Sequence, residues 1–381
     1  MSEYNAVLLV AGGTGGHVLP AIALSHELKA RGYTVCLVTD HRAIPFTMDF
    51  PNDSIFEIAS SPIRFSNPIV FCRSLINFVK GFFASLRLIK KIKPKVIVGF
   101  GGYHTVSPLL AGIILRIPSM IHEQNIIMGR ANRLLSWGVQ LIARGMVSPQ
   151  KKNLSHKVIV TGNPIRHSLI RMRDIPYQVS DSDKPFYLLV FGGSQGARFF
   201  SDVIPKSISL LSKIQRKRLV ITQQVHEDDK ERVQKKYSEL GCKVNIFSFL
   251  KDIERHMVKA NLLICRSGAL TVSEIAVIGR PAILVPYPYS IHQDQLHNAH
   301  YLQEGGGAKV ITQDFLSPER LANELYSAMK NPECLSQMAK NISEKGKTQA
   351  VLMLSDIIEQ LAHAKSRSFL GRKFTCWFHK V

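Results

Sequence analysis

Acidic residues are scarce in this chain: 28 Asp and Glu stand against 49 Lys and Arg in 381 residues, a formal net charge of +21. Such an imbalance attracts anions, and the anions on offer are nucleic acid, anionic lipid and phosphorylated substrates. Nucleic acid fits poorly, because no recognised binding motif or aromatic platform accompanies the charge. Cysteine is sparse as well. The six cysteines form no CxxC pair, and Cys36 and Cys265 lie inside apolar runs, which excludes a zinc ribbon and points to a reducing compartment. Long apolar runs are missing: residues 6–11 are too few for a secretory signal, and no stretch reads as long enough to span a bilayer. The expected place is the cytosol, in touch with a membrane surface. The dinucleotide fingerprint is absent too. Glycines at 13 and 15 would require another at 18, where the chain has Val18, so Asp40 is not backed by the loop a ribose-binding acid needs.

Apolar residues make up 45% of the chain and charged ones 20%, enough for two cores of ordinary size. Residues 6–10, 35–38, 96–100, 120–121 and 158–160 read as short buried strands separated by helical spacing. That alternation predicts α/β architecture, parallel sheets with helices on both faces. A polar stretch with Pro176 and Pro185, residues 171–185, breaks the pattern, and residues 187–191 start it again. The two halves open alike, on Gly12-Gly13-Thr14-Gly15-Gly16 and Gly192-Gly193-Ser194-Gln195-Gly196. We expect an N-terminal domain over 1–166, a C-terminal domain over 167–350, a helix over 351–363 packing back across the domains, and a basic tail over 364–381. Two Rossmann-like halves would bind ligand in the cleft they share, at the carboxyl ends of their strands.

Glycine-rich turns between a strand and a helix aim backbone N–H groups at phosphate. Four such turns follow apolar strands here: 12–17, 99–105, 192–197 and 266–269. One would be weak, since glycine serves many turns; four favour a diphosphate ligand or two phosphorylated ligands. Asp181-Ser182-Asp183 has the DxD spacing of metal-dependent glycosyltransferases but falls in the polar connector, where a solvated role is expected. Gly279 with Pro281 reads as a helix stop. His104 and His122 read equally well as ordinary polar loop residues. Between 69 and 93, apolar clusters including Phe78, Phe82 and Phe83 alternate with Arg73, Lys80, Arg87, Lys90, Lys91 and Lys93. That pattern suits an interfacial helix on an anionic leaflet, with a half-buried domain helix as the plainer reading.

The runs GGTGGHVLPAIAL, GFGGYHTVSP, IHEQNIIMGRANRLL, VTGNPIR, FGGSQGA and CRSGALTVSEIAVIGRPAILVPYP resemble, in order, the signatures of the MurG family of glycosyltransferases. The resemblance implies a GT-B fold and an inverting transfer of GlcNAc, through a β1,4 bond, from UDP-GlcNAc to the C4 hydroxyl of MurNAc in undecaprenyl-diphosphate-MurNAc-pentapeptide (lipid I). It further implies a peripheral enzyme at the cytoplasmic face of the bacterial inner membrane, with cell-wall synthesis and division proteins as partners. Matched by motif, the substrate-binding positions are Thr14, Gly15, Gly16, Asn125, Arg166, Ser194, Leu250, Ala269, Leu270, Thr271, Glu274 and Gln295. Arg166 and the third loop would hold the donor diphosphate, Glu274 the ribose hydroxyls, Leu250 the uracil through its backbone, and Asn125 and Gln295 the sugar. Asp294 stands where the family usually has His or Gln, which puts the sugar contacts there in doubt. Gly101, Gly102, Tyr103 and His104 would line the acceptor diphosphate loop. His17 is the first candidate for the general base, with hydrogen bonding to the acceptor diphosphate as its other reading and Glu123 and Tyr103 in reserve. No cofactor and no essential metal are expected, because loop amides and Arg166 can neutralise the departing diphosphate. Rival readings are another GT-B lipid glycosyltransferase, a UDP-GlcNAc 2-epimerase and a silent nucleotide-binding scaffold.

Overall fold

The computed structural model describes residues 5–51, 54–58, 67–147, 155–181 and 183–363, with the side chains of 68 and 193–197 outside that set. The chain divides into two units: Met1–Gln124, Met128–Pro164 and Gln349–Val381 form the first, Asn125–Ile127 and Ile165–Thr348 the second. Each is built on a parallel sheet.

In the first unit the strands are β1 (Ala6–Val10), β2 (Thr34–Thr39), β3 (Ser54–Glu57), β4 (Val96–Gly99), β5 (Ser119–Glu123), β6 (Leu141–Arg144) and β7 (Val158–Val160), ordered β3-β2-β1-β4-β5-β6-β7. Side chains alternate across the sheet, so Val7 and Leu9 enter one buried cluster while Leu8 and Val10 enter the other. This explains why β1 reads as an unbroken apolar run. β3 escapes the sequence pattern because it is an edge strand whose Ile55 and Glu57 face solvent.

The second unit contains β8 (Phe186–Phe191), β9 (Leu219–Gln224), β10 (Lys243–Phe247), β11 (Leu262–Cys265), β12 (Ala282–Leu284) and β13 (Ala308–Val310), ordered β10-β9-β8-β11-β12-β13. Every neighbouring pair in both sheets is parallel. The polar stretch before β8 is tied down by a buried cation. Arg280, 1% exposed, donates to the Ile175 and Pro176 carbonyls and lies 5.8 Å from the Tyr177 ring centroid. Asp181 is exposed and pairs with Lys184; Ser182 lies outside the described residues.

The helix Ala350–His363 belongs to the first unit, where Leu354, Ile357, Ile358 and Leu361 join the cluster that holds Val7 and Leu9. It lies against the helix Gly15–Ala30, and Arg31 clasps the two by bonding Glu27, Asp356 and Glu359 at 2.8, 2.7 and 3.0 Å. The basic tail, residues 364–381, is outside the described residues.

One expectation is corrected. Ile69–Ile92, within the helix Pro68–Ile92, is long and apolar enough by length and composition to cross a membrane. Within residues 69–86 the only charged side chains are Arg73 and Lys80, so the stretch stays apolar on average over the length a bilayer requires although it is not an unbroken apolar run.

Candidate active site

In the first unit the winding reverses between β1 and β4, and the loops 12–16 and 99–105 leave the carboxyl ends of those two strands. Open parallel sheets bind ligand at such a reversal, where neighbouring loops diverge and leave a crevice. Thr14 is the N-cap of the helix Gly15–Ala30, and its carbonyl accepts from the His17 and Val18 amides at 3.1 and 3.3 Å. The amides of Gly15 and Gly16 therefore open the helix, where the dipole favours an anion. Gly101 and Gly102 hold φ of +88° and +81°, and a Cβ on Gly101 would stand 3.2 Å from Asn132 Nδ2 and 3.4 Å from His17 Cε1. His17 thus lies against the second loop from the first. Among the described residues its buried Nδ1 has no hydrogen-bond partner.

Neither His104 nor His122 is an ordinary loop residue. His122 sits on β5, fully buried, donates from Nε2 to the Gly162 carbonyl at 3.0 Å and packs its ring 5.7 Å from that of Phe100. Desolvation, opposed by the Gly162 bond and Glu123, takes its pKa down to about 4. His104 is 6% exposed, and its ring wedges between the loops: a Cβ on Gly12 or Gly102 would meet its Cδ2 at 2.9 or 3.0 Å. Burial brings its pKa to about 4, with Asp40 pulling the other way. The Tyr103 ring lies 3.9 Å from it.

Glu123, at the end of β5, is 2% exposed and accepts on Oε2 from the Gly129 amide and from Asn132 Nδ2, both at 2.9 Å. The carboxylate closes the segment leading to the helix Arg130–Leu135, an arrangement that suits a positioning residue. Asn132 was not singled out from the sequence, although it stands inside a quoted motif; a polar residue on a short helix has no period that marks it. Asp40 is occupied within the protein: its Oδ1 takes the Gly13 amide at 2.7 Å.

The second unit repeats the plan, with the reversal between β8 and β11 and loops 192–197 and 266–268 at their carboxyl ends. Ser194 falls in the helix Gly193–Ser209, but its side chain is outside the described ones. Gln224 bridges two loops, accepting from the Gly192 amide at 3.4 Å and donating to the Ser248 carbonyl at 3.2 Å, just before Leu250, which is 7% exposed. Sequence reading missed this amide for the same lack of pattern. Ala269, Leu270, Thr271 and Glu274 lie on the helix Ala269–Ile278. Arg166 donates to Glu274 Oε1 at 3.1 Å, and its Nη1 stands 3.8 Å from Glu254. Burial raises the Glu274 carboxyl, and Arg166 offsets that.

Arg266 is no loose phosphate ligand. It donates to the Val285 and Pro286 carbonyls at 3.1 Å and to Gln313, and lies within 5.1 to 5.5 Å of the ring centroids of Phe199, Phe200 and Tyr287. Burial lowers its pKa to about 10. Asn125 is held by Asn298, which donates to its Oδ1 at 3.0 Å and accepts from the Ile126 amide at 3.1 Å. Gln295 Oε1 takes the Tyr287 amide at 2.9 Å, and the turn before it holds His292 and Gln293 at positive φ. Among the described residues no group of three or more His, Cys, Asp or Glu is placed to hold a metal ion.

Residues 7–143 match the glycosyltransferase family 28 N-terminal domain and residues 187–353 its C-terminal domain. The UDP-N-acetylglucosamine--N-acetylmuramyl-(pentapeptide) pyrophosphoryl-undecaprenol N-acetylglucosamine transferase of Rhizobium meliloti (strain 1021) is 49% identical over 94% of this chain and 96% of its own. The protein of the same description from Agrobacterium fabrum is 48% identical over 94% of this chain and 95% of its own. The chain belongs to glycosyltransferase family 28, among the MurG transferases. The crystal structure of Acinetobacter baumannii MurG superposes with a TM-score of 0.75 at 28% identity, covering 93% of this chain and 99% of that one. A UDP-GlcNAc 2-epimerase from Neisseria meningitidis bound to UDP-GlcNAc reaches a TM-score of 0.65 at 15% identity over 93% of this chain and all of its own, a likeness of fold alone. The family 28 chain therefore has the GT-B fold that its two Rossmann-like sheets predict.

Proposed function

We infer that this chain is the transferase that moves GlcNAc from UDP-GlcNAc to the C4 hydroxyl of MurNAc in undecaprenyl-diphosphate-MurNAc-pentapeptide, giving the disaccharide lipid of peptidoglycan synthesis. The observation that carries the reading is the convergence of four glycine loops on the winding reversals of two sheets, a pair in each unit. Two substrates with a diphosphate each need two such sites. In our reading the first unit receives the acceptor and the second the donor.

The reaction is a displacement at the anomeric carbon: acceptor O4 forms its bond to C1 as the bond from C1 to the diphosphate oxygen breaks, and UDP leaves with the electron pair. Arg166 and the amides of the loop at 192–197 stabilise the charge that gathers on UDP. Glu274 receives the ribose hydroxyls, for which Arg166 must release or share it. His17 takes the O4 proton. Its unpartnered Nδ1 and its place between the first two loops support that role over Glu123, whose Oε2 is already engaged. Asn125 and Gln295, pinned by Asn298 and by the Tyr287 amide, meet the sugar.

The acceptor's lipid lies in a bilayer, and the helix Pro68–Ile92 supplies a face for it. Ile69, Ile76, Val79 and Phe83 are exposed, from 42% to 77%, beside the exposed Arg73, Lys80 and Arg87. Ser74, Gly81, Ser85 and Ile89 are buried on the opposite side, so the helix is seated on its unit and offers its other face to the leaflet. Trp137, 85% exposed beside Leu134 and Arg133, adds a second interfacial side chain on the same unit. We place the enzyme, on these grounds, at the cytoplasmic face of the inner membrane as a peripheral protein.

The test is transfer of radiolabelled GlcNAc from UDP-GlcNAc to a synthetic lipid I analogue by the full chain, its His17→Ala variant and its Glu274→Ala variant. Product from the first and its loss from both variants is expected. UDP binding without product from the wild type would overturn the reading.

A further inference from the structure

We propose that Arg42 is the cation that receives the acceptor's diphosphate, held ready by Asp40 and Tyr103. The inference rests on the reading of the first unit as the acceptor half. It starts from a deficit of positive charge. A diphosphate linkage stays ionised at neutral pH, and the loops 12–16 and 99–105 offer it amide dipoles and no fixed cation. His104, the imidazole that touches both loops, is neutral there. Arg144, at the end of β6, is 5% exposed and sits in register with Glu123 on the next strand.

Arg42 differs on each count. Its side chain is 47% exposed, so the charge is accessible. Nε donates to Asp40 Oδ2 at 3.0 Å, and the guanidinium carbon lies 5.3 Å from the centroid of the Tyr103 ring. Nη2 lies 3.7 Å from the point where a Cβ on Gly13 would stand. The guanidinium therefore reaches from the first loop, at Gly13, to the second, at Tyr103. Among the described residues no hydrogen bond engages Nη1 or Nη2. With Nε committed, those two nitrogens form the remaining edge of the fork, and two parallel N–H donors match two oxygens of a phosphate.

Asp40 makes the arrangement rigid. It is 2% exposed, and its two oxygens are divided between the Gly13 amide and Arg42. Burial favours its protonation, but the Gly13 amide and Arg42, joined by His104 only when that imidazole is protonated, outweigh that and keep the carboxyl below its ordinary range. One buried carboxylate thus sets both the first loop and the arginine beside it. In a surface ion pair the cation would serve only its partner; here the unused edge of the guanidinium lies by the loops.

The experiment compares wild type, Arg42→Gln and Arg42→Lys as full chains, with UDP-GlcNAc and two synthetic acceptors that share sugar and lipid but join them through a diphosphate or a monophosphate. For Arg42→Gln we expect KM for the diphosphate acceptor to rise roughly 10- to 100-fold, the scale of a lost charge-assisted pair. The KM for UDP-GlcNAc should stay as it was, and the penalty should shrink on the monophosphate acceptor. Arg42→Lys should recover only part of the loss, since an ammonium brings charge without the fork. An unchanged acceptor KM, or equal penalties on both acceptors, overturns the proposal. Failure of the wild type to glycosylate the diphosphate acceptor would instead remove the functional reading and this inference with it.

Discussion

Single side chains divide the chemistry from the scaffold. An acidic or basic group that accelerates proton transfer contributes typically ~10²- to 10⁴-fold. We therefore expect His17→Ala to lower kcat by roughly 10²-fold or more while donor KM holds, measured by steady-state transfer. His122 makes the opposite kind of contribution, to stability. It takes a proton near 6.5 when unfolded but only near 4 in its buried site, so the fold binds fewer protons between those values. The stability it lends is complete above about pH 6.5 and is lost as pH falls toward 4, a span on the order of 3 kcal/mol. His122→Gln keeps a donor for Gly162 and removes the titration. Denaturant unfolding at pH 7 and pH 4.5 should show a shallower loss in this variant than in the wild type, and an identical loss would refute the assignment. These histidines also show what a sequence hides. His17 is legible because it follows a glycine loop at a helix start. The burial of His104 and His122 depends on strands brought beside them from far along the chain, and no local pattern announces it.

At the level of elements, the helix Pro68–Ile92 combines seat and surface. Phe82 is half-buried and packed against the core with Leu86, whereas Phe83 is 55% exposed. Replacing Phe82 by serine would damage the unit itself, so membrane binding is tested by Ile76→Ser with Phe83→Ser. Loss of liposome sedimentation, with transfer to a soluble short-chain acceptor retained, is the expected result. The helix Ala350–His363 is fastened by burial more than by charge. Ile358→Ala should cost ~2–5 kcal/mol in denaturant unfolding. Arg31→Ala should cost about 1 kcal/mol or less, because its partners Asp356 and Glu359 are substantially exposed. The helix itself is predictable from its spacing. Its place is not, since an amphipathic stripe says that a face must be covered without saying by what.

Across the whole molecule, if the enzyme is peripheral as proposed, the excess of positive charge is the term that should govern its binding to an anionic membrane. Attraction between +21 and an anionic leaflet is screened over about 8 Å at physiological ionic strength, so binding to anionic vesicles should weaken as salt rises from 50 to 500 mM, while binding to neutral vesicles stays weak throughout. Salt-independent binding would mean that Ile76, Phe83 and their neighbours act alone. Activity should survive excess EDTA, because Arg166 and the loop amides carry the neutralisation of UDP in this mechanism; abolition reversed by Mg²⁺ would contradict it.

The amino-acid sequence by itself determined the class of fold, the place of each glycine loop and the family. Strand period, loop glycine and helix start are local requirements, met by residues close together in the chain. The tertiary structure decided which partner each polar group has. Arg166 and Arg266 look alike in sequence, each an arginine beside a loop motif, yet one faces Glu274 while the other is enclosed by Phe199, Phe200 and Tyr287. The missing fingerprint already set Asp40 aside as a ribose ligand, but only the fold shows its oxygens on Gly13 and Arg42. Hydrogen-bond partners and burial are set by distances between segments far apart in sequence, and only folding brings those distances into being.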